Sequence, residues 1–516
     1  MNDNKTSKNS IVAKFAVPIS FLILFFLAAN FTDCDLVTFW KRRSHLTDLV
    51  VDMIPPDFSY IQKILLPLFY TIQMSVTGTV LGIFFALVLS PFGAANLGFP
   101  AVIRRILRIV IQILRSFPAL ILALTATFLF GLGTFAGTFA ITLYTFAIMT
   151  KLTYEDASAA DVKAYQALRV MGVSKYVAYI HGILPEIIPG FLTNALYLLE
   201  TNVRHSSILG YVGAGGIGLL LNEKISWLEY DKVGTILLML FLTVCVIEYF
   251  SRYLAALIRK ERTIKKEQAR LLLLFLAALF LICTFTLSLP DFSRTSPQTL
   301  RNMFAGFLQP DWSFFFSAEK DGLGYLLLET VCIAFIGTVI GAIVSAPLAF
   351  LNTKRFVPAP VSFLFNLVIM VIRSVPFLVY GLIFIRVSGP GAFTGVLTLA
   401  VCSIGLLTKR FTEALDALDP RPYHALLAMG VRPLPAICHS VLPQLKPVFT
   451  SIILYRFDVN IREASVLGLV GAGGIGAPLI FSMNQYAWEK AGAIMLGLIL
   501  LVWFIDMVSE KIGAGN

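Results

Sequence analysis

Four charged side chains inside apolar stretches of the sequence are the residues best suited to handle an ion. Glu200 lies four positions before Arg204, and Asp458 lies four positions before Arg462. Helical geometry places residues at this spacing on one face, and charges within a membrane span usually face the interior of a bundle. Two interpretations are open. Either each pair neutralises itself and fixes helix packing, or the arginines flank a path for an anion, because guanidinium donors match oxyanions well.

Two further motifs place polar or flexible groups beside these charges. Arg115 and Arg373 each begin an Arg-Ser-x-Pro motif, whose proline is expected to kink a helix, so a structural role competes with ligand contact. The segment GAGGIG occurs twice and predicts close packing or a bend near an outer gate, with amide contact to an oxyanion as the alternative. The candidates for residues along the path of an ion are Arg115, Glu200, Arg204, Gly213, Gly215, Gly216, Arg373, Asp458, Arg462, Gly471, Gly473 and Gly474.

Each of these motifs occurs twice because the chain is a tandem duplication. Residues 201–218 and 459–476 are identical at twelve of eighteen positions. The Arg-Ser-x-Pro motif returns at the same displacement of 258 positions. Features kept in both copies are therefore those that the duplicated machine needs.

The composition is that of an integral membrane protein. Hydrophobic residues make up 57% of the chain and charged residues 14%, far from the soluble norm. The net charge of +11 fits lysines and arginines gathered in cytoplasmic loops better than nucleic-acid binding. The six cysteines and five histidines are dispersed, so no metal site is expected. The polar start, Met1 to Ser10, precedes an apolar stretch without a cleavage pattern, which predicts a retained first helix.

Apolar stretches of spanning length predict an all-α fold with twelve membrane spans, six in each copy. An even number per copy makes the two repeats parallel. The predicted spans are Phe15–Phe31, Leu65–Ser90, Ile106–Gly131, Phe135–Thr150, Ile187–Val212, Gly234–Ile258, Leu271–Leu289, Gly324–Phe350, Val361–Ile385, Gly391–Leu407, Val448–Val470 and Ala491–Val508.

Charge in the connecting segments predicts orientation and domain boundaries. The linker 259–270 holds six bases and two acids, whereas 290–322 holds three bases and four acids. The linker is thus expected in the cytoplasm, with both termini. One basic cluster, Lys41, Arg42 and Arg43, conflicts with this orientation, because it falls in a segment predicted to lie outside the cell. The expected divisions are 1–64 (first helix and outside loop), 65–258 (first repeat), 259–270 (linker), 271–323 (helix and outside loop) and 324–516 (second repeat).

Two long loops on the predicted cytoplasmic side each hold a short amphipathic pattern. These patterns run over residues 161–171 and 421–429, and a glycine follows each of them, as a helix C-terminus prefers. A short helix with an apolar stripe needs a partner surface. The loops therefore predict docking to another protein, with a helix lying on the lipid as the alternative.

These loops resemble the permease subunits of bacterial ABC importers, whose signature is Glu-Ala-Ala, three residues, Gly, nine residues, Ile-x-Leu-Pro. Both copies keep the spacing, although Gln166 and His424 replace the signature glutamate. The resemblance implies that the helix docks on an ATPase. The residues carried over to this coupling role are Gln166, Ala167, Leu168, Gly172, Leu184, Pro185, His424, Ala425, Leu426, Gly430, Leu442 and Pro443.

The Arg-Ser-x-Pro motif and the duplicated segment that ends in GAGGIG narrow this resemblance. With them the chain resembles the PhnE-like permeases of phosphonate and phosphite ABC importers, over roughly residues 71–260 and 330–510. It implies a type I importer (MetI-like) fold with two permease units fused in one chain. It also implies one copy of this chain per complex, two copies of an ABC ATPase that bind ATP and Mg, a solute-binding protein, and a place in the bacterial inner membrane.

ATP hydrolysis is assigned to the partner because the sequence contains no GxxxxGK[ST] motif. No cofactor is expected on this chain itself. Two alternatives stay open: a permease of the same fold for another cargo, such as thiamine phosphate or an organic acid, and an ion-coupled secondary transporter.

Overall fold

The computed structural model describes residues 19–259, 265–288, 290, 297–317, 319 and 322–514, and every regular element in this part of the chain is a helix. The predictions on the start of the chain, on the beginning of the first span and on part of the linker lie outside the described residues. Helices α1 to α12 are Ile19–Phe31, Leu36–Lys41, Arg43–Asp52, Ile61–Gly93, Ala101–Ser116, Ala119–Phe130, Thr134–Ala159, Lys163–Val170, Lys175–Gly182, Leu184–Leu209, Ile217–Ser226 and Tyr230–Ile258.

The second half of the chain repeats this order of elements. Helices α13 to α24 are Lys266–Phe285, Pro297–Leu308, Trp312–Phe315, Leu323–Asn352, Ala359–Ser374, Phe377–Ser388, Ala392–Ala417, Arg421–Ala428, Pro433–Ala436, Leu442–Leu467, Gly476–Asn484 and Trp488–Ala514. A π-helical turn at Ile437–Val441 joins α21 to α22. The pairs α4 and α16, α7 and α19, α10 and α22, and α12 and α24 thus hold matching places.

The number of spans is lower than predicted when only straight helices are counted. Among the described residues, eight helices are long and apolar enough to cross a membrane, and three bent pairs would bring the number to eleven. Helix α1 is apolar but shorter. The chain is therefore an all-helical multi-pass membrane protein, and the count of twelve stays a prediction.

Two of the predicted spans, Ile106–Gly131 and Val361–Ile385, are not single straight helices. Each is a bent pair: α5 and α6 meet at 95°, and α17 and α18 meet at 88°. The cause is the proline of Arg-Ser-x-Pro, which disfavours helical backbone at the residue before it. Phe117, before Pro118, is accordingly extended, with φ −92° and ψ 128°.

Close helix contacts in each repeat depend on a Gly-x-x-x-Gly motif. A Cβ atom on Gly78 of α4 would lie 2.7 Å from Ile141 of α7, and one on Gly82 would lie 2.6 Å from Thr145. Gly337 and Gly341 of α16 meet α19 in the same way. In lipid, where burial of apolar side chains does not drive association, such small residues let two helices pack backbone against backbone.

The chain forms two compact units, and each contains a helix that precedes the other repeat in sequence. The repeat-1 unit comprises the described residues of 48–304 with 374–376, and so includes α13. Gln73 on α4 donates hydrogen bonds to Cys283 O (3.1 Å) and Thr286 Oγ1 (2.8 Å) at the end of α13.

The repeat-2 unit comprises residues 19–47 and the remaining described residues after 304, and so includes α1 and α2. Phe21 on α1 packs edge-on against Phe335 of α16, with ring centroids 5.5 Å apart. Phe31 meets Tyr325 at 4.9 Å. The segments preceding the repeats are therefore integral parts of the two units.

Candidate functional site

A buried asparagine anchors the helix that carries each predicted ion pair. Asn202 on α10 donates from its amide to Thr79 Oγ1 and Thr145 Oγ1, both at 2.8 Å. Asn460 on α22 repeats this bridge to Thr338 and Ser403, at 2.6 and 2.9 Å. Both asparagines are fully buried. Because a buried amide requires partners, each bridge fixes the rotation of α10 or α22 against the two helices beside it.

The predicted acid and arginine pairs form on these anchored helices. Arg204 Nη1 lies 2.9 Å from Glu200 Oε1, and the two side chains are 13% and 7% exposed. Arg462 forms the matching ion pair with Asp458. The spacing of four residues thus gives contact as predicted. The pairs stabilise the helices internally, and whether the arginines also meet an anion stays a prediction.

A second ion pair, which the repeated motifs do not point to, lies only in the second repeat. Arg456 donates to Glu463 through two nitrogens, at 2.8 and 3.4 Å, and Arg456 Nε donates to Ser403 Oγ at 3.2 Å. The corresponding residues 258 positions earlier are Leu198 and His205. The buried charges on this helix therefore differ between the two repeats. The signal that could have found it is a charge present in only one copy of a duplicated sequence.

The two Arg-Ser-x-Pro arginines lie at the ends of α5 and α17, where the chain turns through a right angle. Arg115 and Arg373 are both half-buried and both have polar or electrostatic partners. The stem of Arg373 packs beside Gly405 of α19, where an added Cβ would lie 3.0 Å from its Cγ. A role in holding the bend follows from this position, and contact with a ligand stays a prediction.

The GAGGIG segments form tight loops, the first between α10 and α11 and the second between α22 and α23. We call them the first and second glycine loops, residues 213–218 and 471–476. Six glycines in them have φ between 76° and 83°, where a Cβ is strained: Gly213, Gly215, Gly216, Gly471, Gly473 and Gly474. A Cβ on Gly473 would approach Ala392 to 2.7 Å. Close packing is thus part of their role.

A threonine hydroxyl fixes each glycine loop against the first long helix of its repeat. Thr71 Oγ1 on α4 accepts a hydrogen bond from Ile217 N–H at 2.9 Å. Thr330 Oγ1 on α16 accepts one from Ile475 N–H at 3.1 Å. In addition, Glu329 of the second repeat accepts a hydrogen bond from Gly474 N–H at 3.1 Å. The two loops are therefore alike in backbone and different in charge.

The predicted coupling glycines end two short helices, α8 and α20, which match the predicted amphipathic segments. Gly172 has φ +83° and Gly430 has φ +80°. In each case the next residue also donates back into the helix, Val173 to Leu168 O and Val431 to Leu426 O, both at 3.1 Å. The glycine N–H itself donates to the carbonyl oxygen three residues earlier. This pair of hydrogen bonds is a Schellman cap. Open space surrounds both glycines, so backbone conformation and not crowding requires them.

Both short helices leave apolar side chains exposed beside the cap. Val170 is 88% exposed, Met171 69% and Met429 70%. Leu434, on α21 after Gly430, is 75% exposed. These side chains form a small apolar surface in each repeat, as docking on another protein requires. The other carried-over positions lie on α8 and α20 or at the first turns of α10 and α22.

The short helix of the first repeat is joined rigidly to the core of its unit. Tyr165 on α8 is buried and donates from its hydroxyl to Leu97 O at 2.6 Å. Gly182, at the end of α9, lets the two helices approach, because a Cβ there would lie 2.8 Å from the Tyr165 nitrogen. The signature glutamate is absent, and in this structure Tyr165 anchors the loop instead.

The second repeat reaches the same result with aromatic stacking. Phe411 of α19 stacks on Phe449 of α22, with ring centroids 3.9 Å apart. Tyr423 of α20 packs edge-on against Phe356, at 5.6 Å. All four rings belong to one hydrophobic cluster. Displacement of α20 would therefore be passed to α19 and α22, because close-packed groups cannot deform independently.

A further repeated motif, Pro-Asp-aromatic-Ser, was not among the sequence predictions. It occurs at 56–59 and 310–313. Asp57 N–H donates to Asp231 O (3.3 Å), and Asp311 N–H donates to Glu489 O (3.0 Å), which ties each motif to the first turn of the last helix of its repeat. Hydrogen bonds from Ser59 to Asp57 and from Ser313 to Asp311 hold the pKa of both aspartates below the usual range.

Comparison with known proteins identifies the family. The family model described as "Binding-protein-dependent transport system inner membrane component" matches residues 78–262 and 337–512. The phosphate-import permease protein PhnE of Mycolicibacterium smegmatis is 27% identical over 90% of this chain and 88% of its own length. The phosphite transport system permease protein PtxC of Stutzerimonas stutzeri is 36% identical over 36% of this chain and 67% of its own length.

Among solved structures, an inward-facing MetNI methionine ABC transporter matches 39% of this chain and 99% of its own, with 21% identity and a TM-score of 0.36. In the described part of this chain, no three His, Cys, Asp or Glu side chains form a group that could hold a metal ion. The two ranges matched by the family model are the two repeats, and together they cover well over half of the sequence. The chain belongs to the family of inner membrane components of binding-protein-dependent transport systems.

Proposed function

We propose that this chain forms by itself the complete membrane pore of an ATP-driven importer for a small phosphorus oxyanion: phosphite, a phosphonate or phosphate. The observation that carries the proposal is the likeness of the whole duplicated chain to a phosphate-import permease, over 90% of its length. The likeness of a part of it to a phosphite permease points to the same class of solute. Two copies of an ATPase and a solute-binding protein would complete the transporter.

The coupling route we propose begins at the short helices α8 and α20. Each has an exposed apolar surface beside its Schellman cap and is fixed to the core of its unit. An ATPase that gripped these surfaces would move them when it closed on ATP. With the linker in the cytoplasm, as the charge bias favours, both surfaces would face the ATPase.

Helices α10 and α22 would carry the movement across the membrane. Helix α10 begins at Leu184, beside the docking loop, and ends just before the first glycine loop. Its 26 residues span about 39 Å at the usual rise of about 1.5 Å per residue. The ion pair of Arg204 lies on this helix, and α22 repeats the arrangement with Arg462. Displacement at one end would thus reorient both the arginines and the glycine loops.

The test is uptake by the complete complex in liposomes. The chain would be reconstituted with a partner ATPase and a solute-binding protein, with ATP inside the vesicles. ATP-dependent uptake of labelled phosphite, methylphosphonate or phosphate is expected. Uptake of an organic acid or thiamine phosphate alone would point to the other cargo class, and uptake that persists without the ATPase would point to a secondary transporter.

A further inference from the structure

Four cations lie around the start of α5, and no carboxylate neutralises them. Arg104, Arg105 and Arg108 lie in the first two turns of α5. Lys175 on α9 contacts the loop of residues 94–100, which joins α4 to α5. Among the residues that the structure describes, none of the four forms an ion pair with Asp or Glu. The positive charge here is therefore concentrated and has no internal counter-ion.

Three of the four cations are held by backbone carbonyl oxygens at the end of α4 and in the loop. The donor and acceptor pairs are Arg108 with Gly93 O (2.9 and 3.0 Å), Arg104 with Ala95 O (3.4 Å) and Lys175 with Gly98 O. A carbonyl oxygen satisfies a donor but carries no net charge, so the charge of the cluster remains. Arg105 is exposed and has no polar partner in the described part of the chain.

The positions of these arginines do not serve the helix itself. Arg104 lies in the first turn of α5, where the helix dipole disfavours a cation. Arg104 and Arg108 are four residues apart, and like charges at that spacing destabilise a helix. Charges that cost helix stability and have no counter-ion in the described chain indicate an anion from outside the chain.

Exposed apolar side chains continue from the cations along the same helix. They are Val102, Ile103, Ile106, Ile109, Val110 and Ile113. The next charged residue after Arg108 is Arg115, so the uncharged stretch is about 10 Å long at the usual helical rise. The surface of α5 is thus cationic at one end and apolar along its side. Such a surface fits a molecule with an anionic head and an apolar tail.

The second repeat has the apolar side without the cations. On α17 the exposed apolar residues include Leu364, Leu367, Val368 and Val371. The positions of the three arginines, 258 residues later, hold Ser362, Phe363 and Asn366. A helix with this apolar surface therefore folds without the arginines, and the cluster is a feature of the first repeat alone.

Membrane topology does not explain the difference. Bases on the cytoplasmic side set the orientation of a span from the loops that flank it. The second repeat places its bases there: Lys354 and Arg355 lie in the loop before α17. In the first repeat the loop of residues 94–100 contains no base, and the bases lie on the helix beside the apolar side chains instead.

We propose that the start of α5 binds the headgroup of an anionic phospholipid, with an acyl chain along the apolar side of the helix. Guanidinium groups match phosphate oxygens well, and Arg105 has its donors free for them. A cluster of bases favours an anionic over a neutral headgroup. A free phosphate would meet the cations and leave the apolar side chains uncovered. Because Tyr165 on α8 donates to Leu97 O in the same loop, the lipid would lie on the face of the unit that carries the docking helix.

The experiment counts lipids bound to the full chain by native mass spectrometry. The delipidated protein in maltoside micelles would be titrated with phosphatidylglycerol or with phosphatidylcholine of the same acyl chains. Wild type should bind one phosphatidylglycerol at least about tenfold more tightly than phosphatidylcholine. Arg105→Gln should weaken phosphatidylglycerol about fivefold, the contribution of one base near anionic lipid. Equal affinities of wild type for the two lipids would refute the proposal.

Three further variants separate lost charge from a damaged fold. Arg105→Lys keeps the charge and should bind within about twofold of wild type. Arg301→Gln is the matched control, because it removes one exposed arginine from α14, and it should leave the affinity unchanged. The triple variant Arg104→Ser, Arg105→Phe and Arg108→Asn copies α17 and should bind both lipids alike. Monodisperse elution establishes folding. A triple variant that is monodisperse and still prefers phosphatidylglycerol as wild type does would contradict the assignment.

Two other occupants are distinguished by the same variants. Inorganic phosphate in large excess should not displace phosphatidylglycerol, because it lacks the acyl chain; complete displacement would show that the cluster binds phosphate alone. Arg105→Gln should assemble with the partner ATPase as wild type does. Weaker assembly together with unchanged lipid binding would assign the arginines to a protein partner and reject the lipid site.

Discussion

The ion pair that is present in only one repeat permits a sharp test of how charge is held inside this protein. Arg456 and Glu463 on α22 are 5% and 17% exposed and share two hydrogen bonds. The first repeat has Leu198 and His205 at these positions, and Leu198 is buried. The first repeat therefore shows that the matching helix, α10, folds without an ion pair at these two positions. We would compare Arg456→Leu, Glu463→His and the double variant.

Each single substitution leaves one buried charge without its partner. Breaking a buried ion pair in this way costs about 3–5 kcal/mol. We expect about 3 kcal/mol here, because a helix unfolded within a bilayer still finds other polar partners. The double variant removes both charges of this pair, so neither is left buried without its partner. It should recover at least half of the loss that either single substitution causes, since exchange of a buried pair for apolar groups is often close to neutral.

The assay is a double-mutant cycle in the free energy of unfolding, measured by titration of the full chain with SDS in bicelles. Ser403→Thr is the matched control, because it keeps a hydroxyl for Arg456 and copies Thr145 of the first repeat. Its stability should stay within about 0.5 kcal/mol of wild type. If Arg456→Leu alone were equally stable, or if the double variant lost the sum of both single losses, the description of a dry, mutually dependent pair would be wrong.

Three further predictions concern transport and assembly. Gly172→Ala or Gly430→Ala, at φ near +80°, should strain the cap by about 1–2 kcal/mol and lower the rate of solute-stimulated ATP hydrolysis. Asn at either position tolerates this conformation, so the Asn variants should retain more of that ATPase activity. Equal activity of the Ala and Asn variants would show that the cap has no role in coupling. Replacing both Glu200 and Arg204 by apolar residues should preserve folding, and uptake per folded protein then decides whether the arginine guides an anion: full uptake confines the pair to structure. Native mass spectrometry of the complex should find one copy of this chain with two ATPase subunits, and two copies would contradict the fused pore.

Much of the architecture is written in the sequence because it depends on local or periodic rules. Apolar length determines which segments are able to span a bilayer, and a spacing of four brings Glu200 and Arg204 into contact on one helix. A glycine after an amphipathic pattern predicted the caps at Gly172 and Gly430. The duplication needed only comparison of the chain with itself. The family followed from motifs whose order and spacing survive divergence.

Other features were decided by the tertiary structure, because they join residues far apart in sequence. Proline predicts a kink, but only the packing around it turned Arg-Ser-x-Pro into right-angle bends in both repeats. No sequence pattern predicted that α13 packs on α4 or that α1 packs on α16. Such pairing depends on the shapes of whole helix faces, which no local pattern contains.

The contrast between the two glycine loops shows the division most clearly. Their sequences are identical over GAGGIG, so by themselves they predict identical chemistry. The difference comes from Glu329, which lies 145 residues before Gly474 and reaches its amide only because α16 packs beside the second loop. Backbone conformation is encoded by the glycines themselves, which alone adopt these φ angles readily. The charge that the loop meets is determined by whichever side chain the fold brings to it.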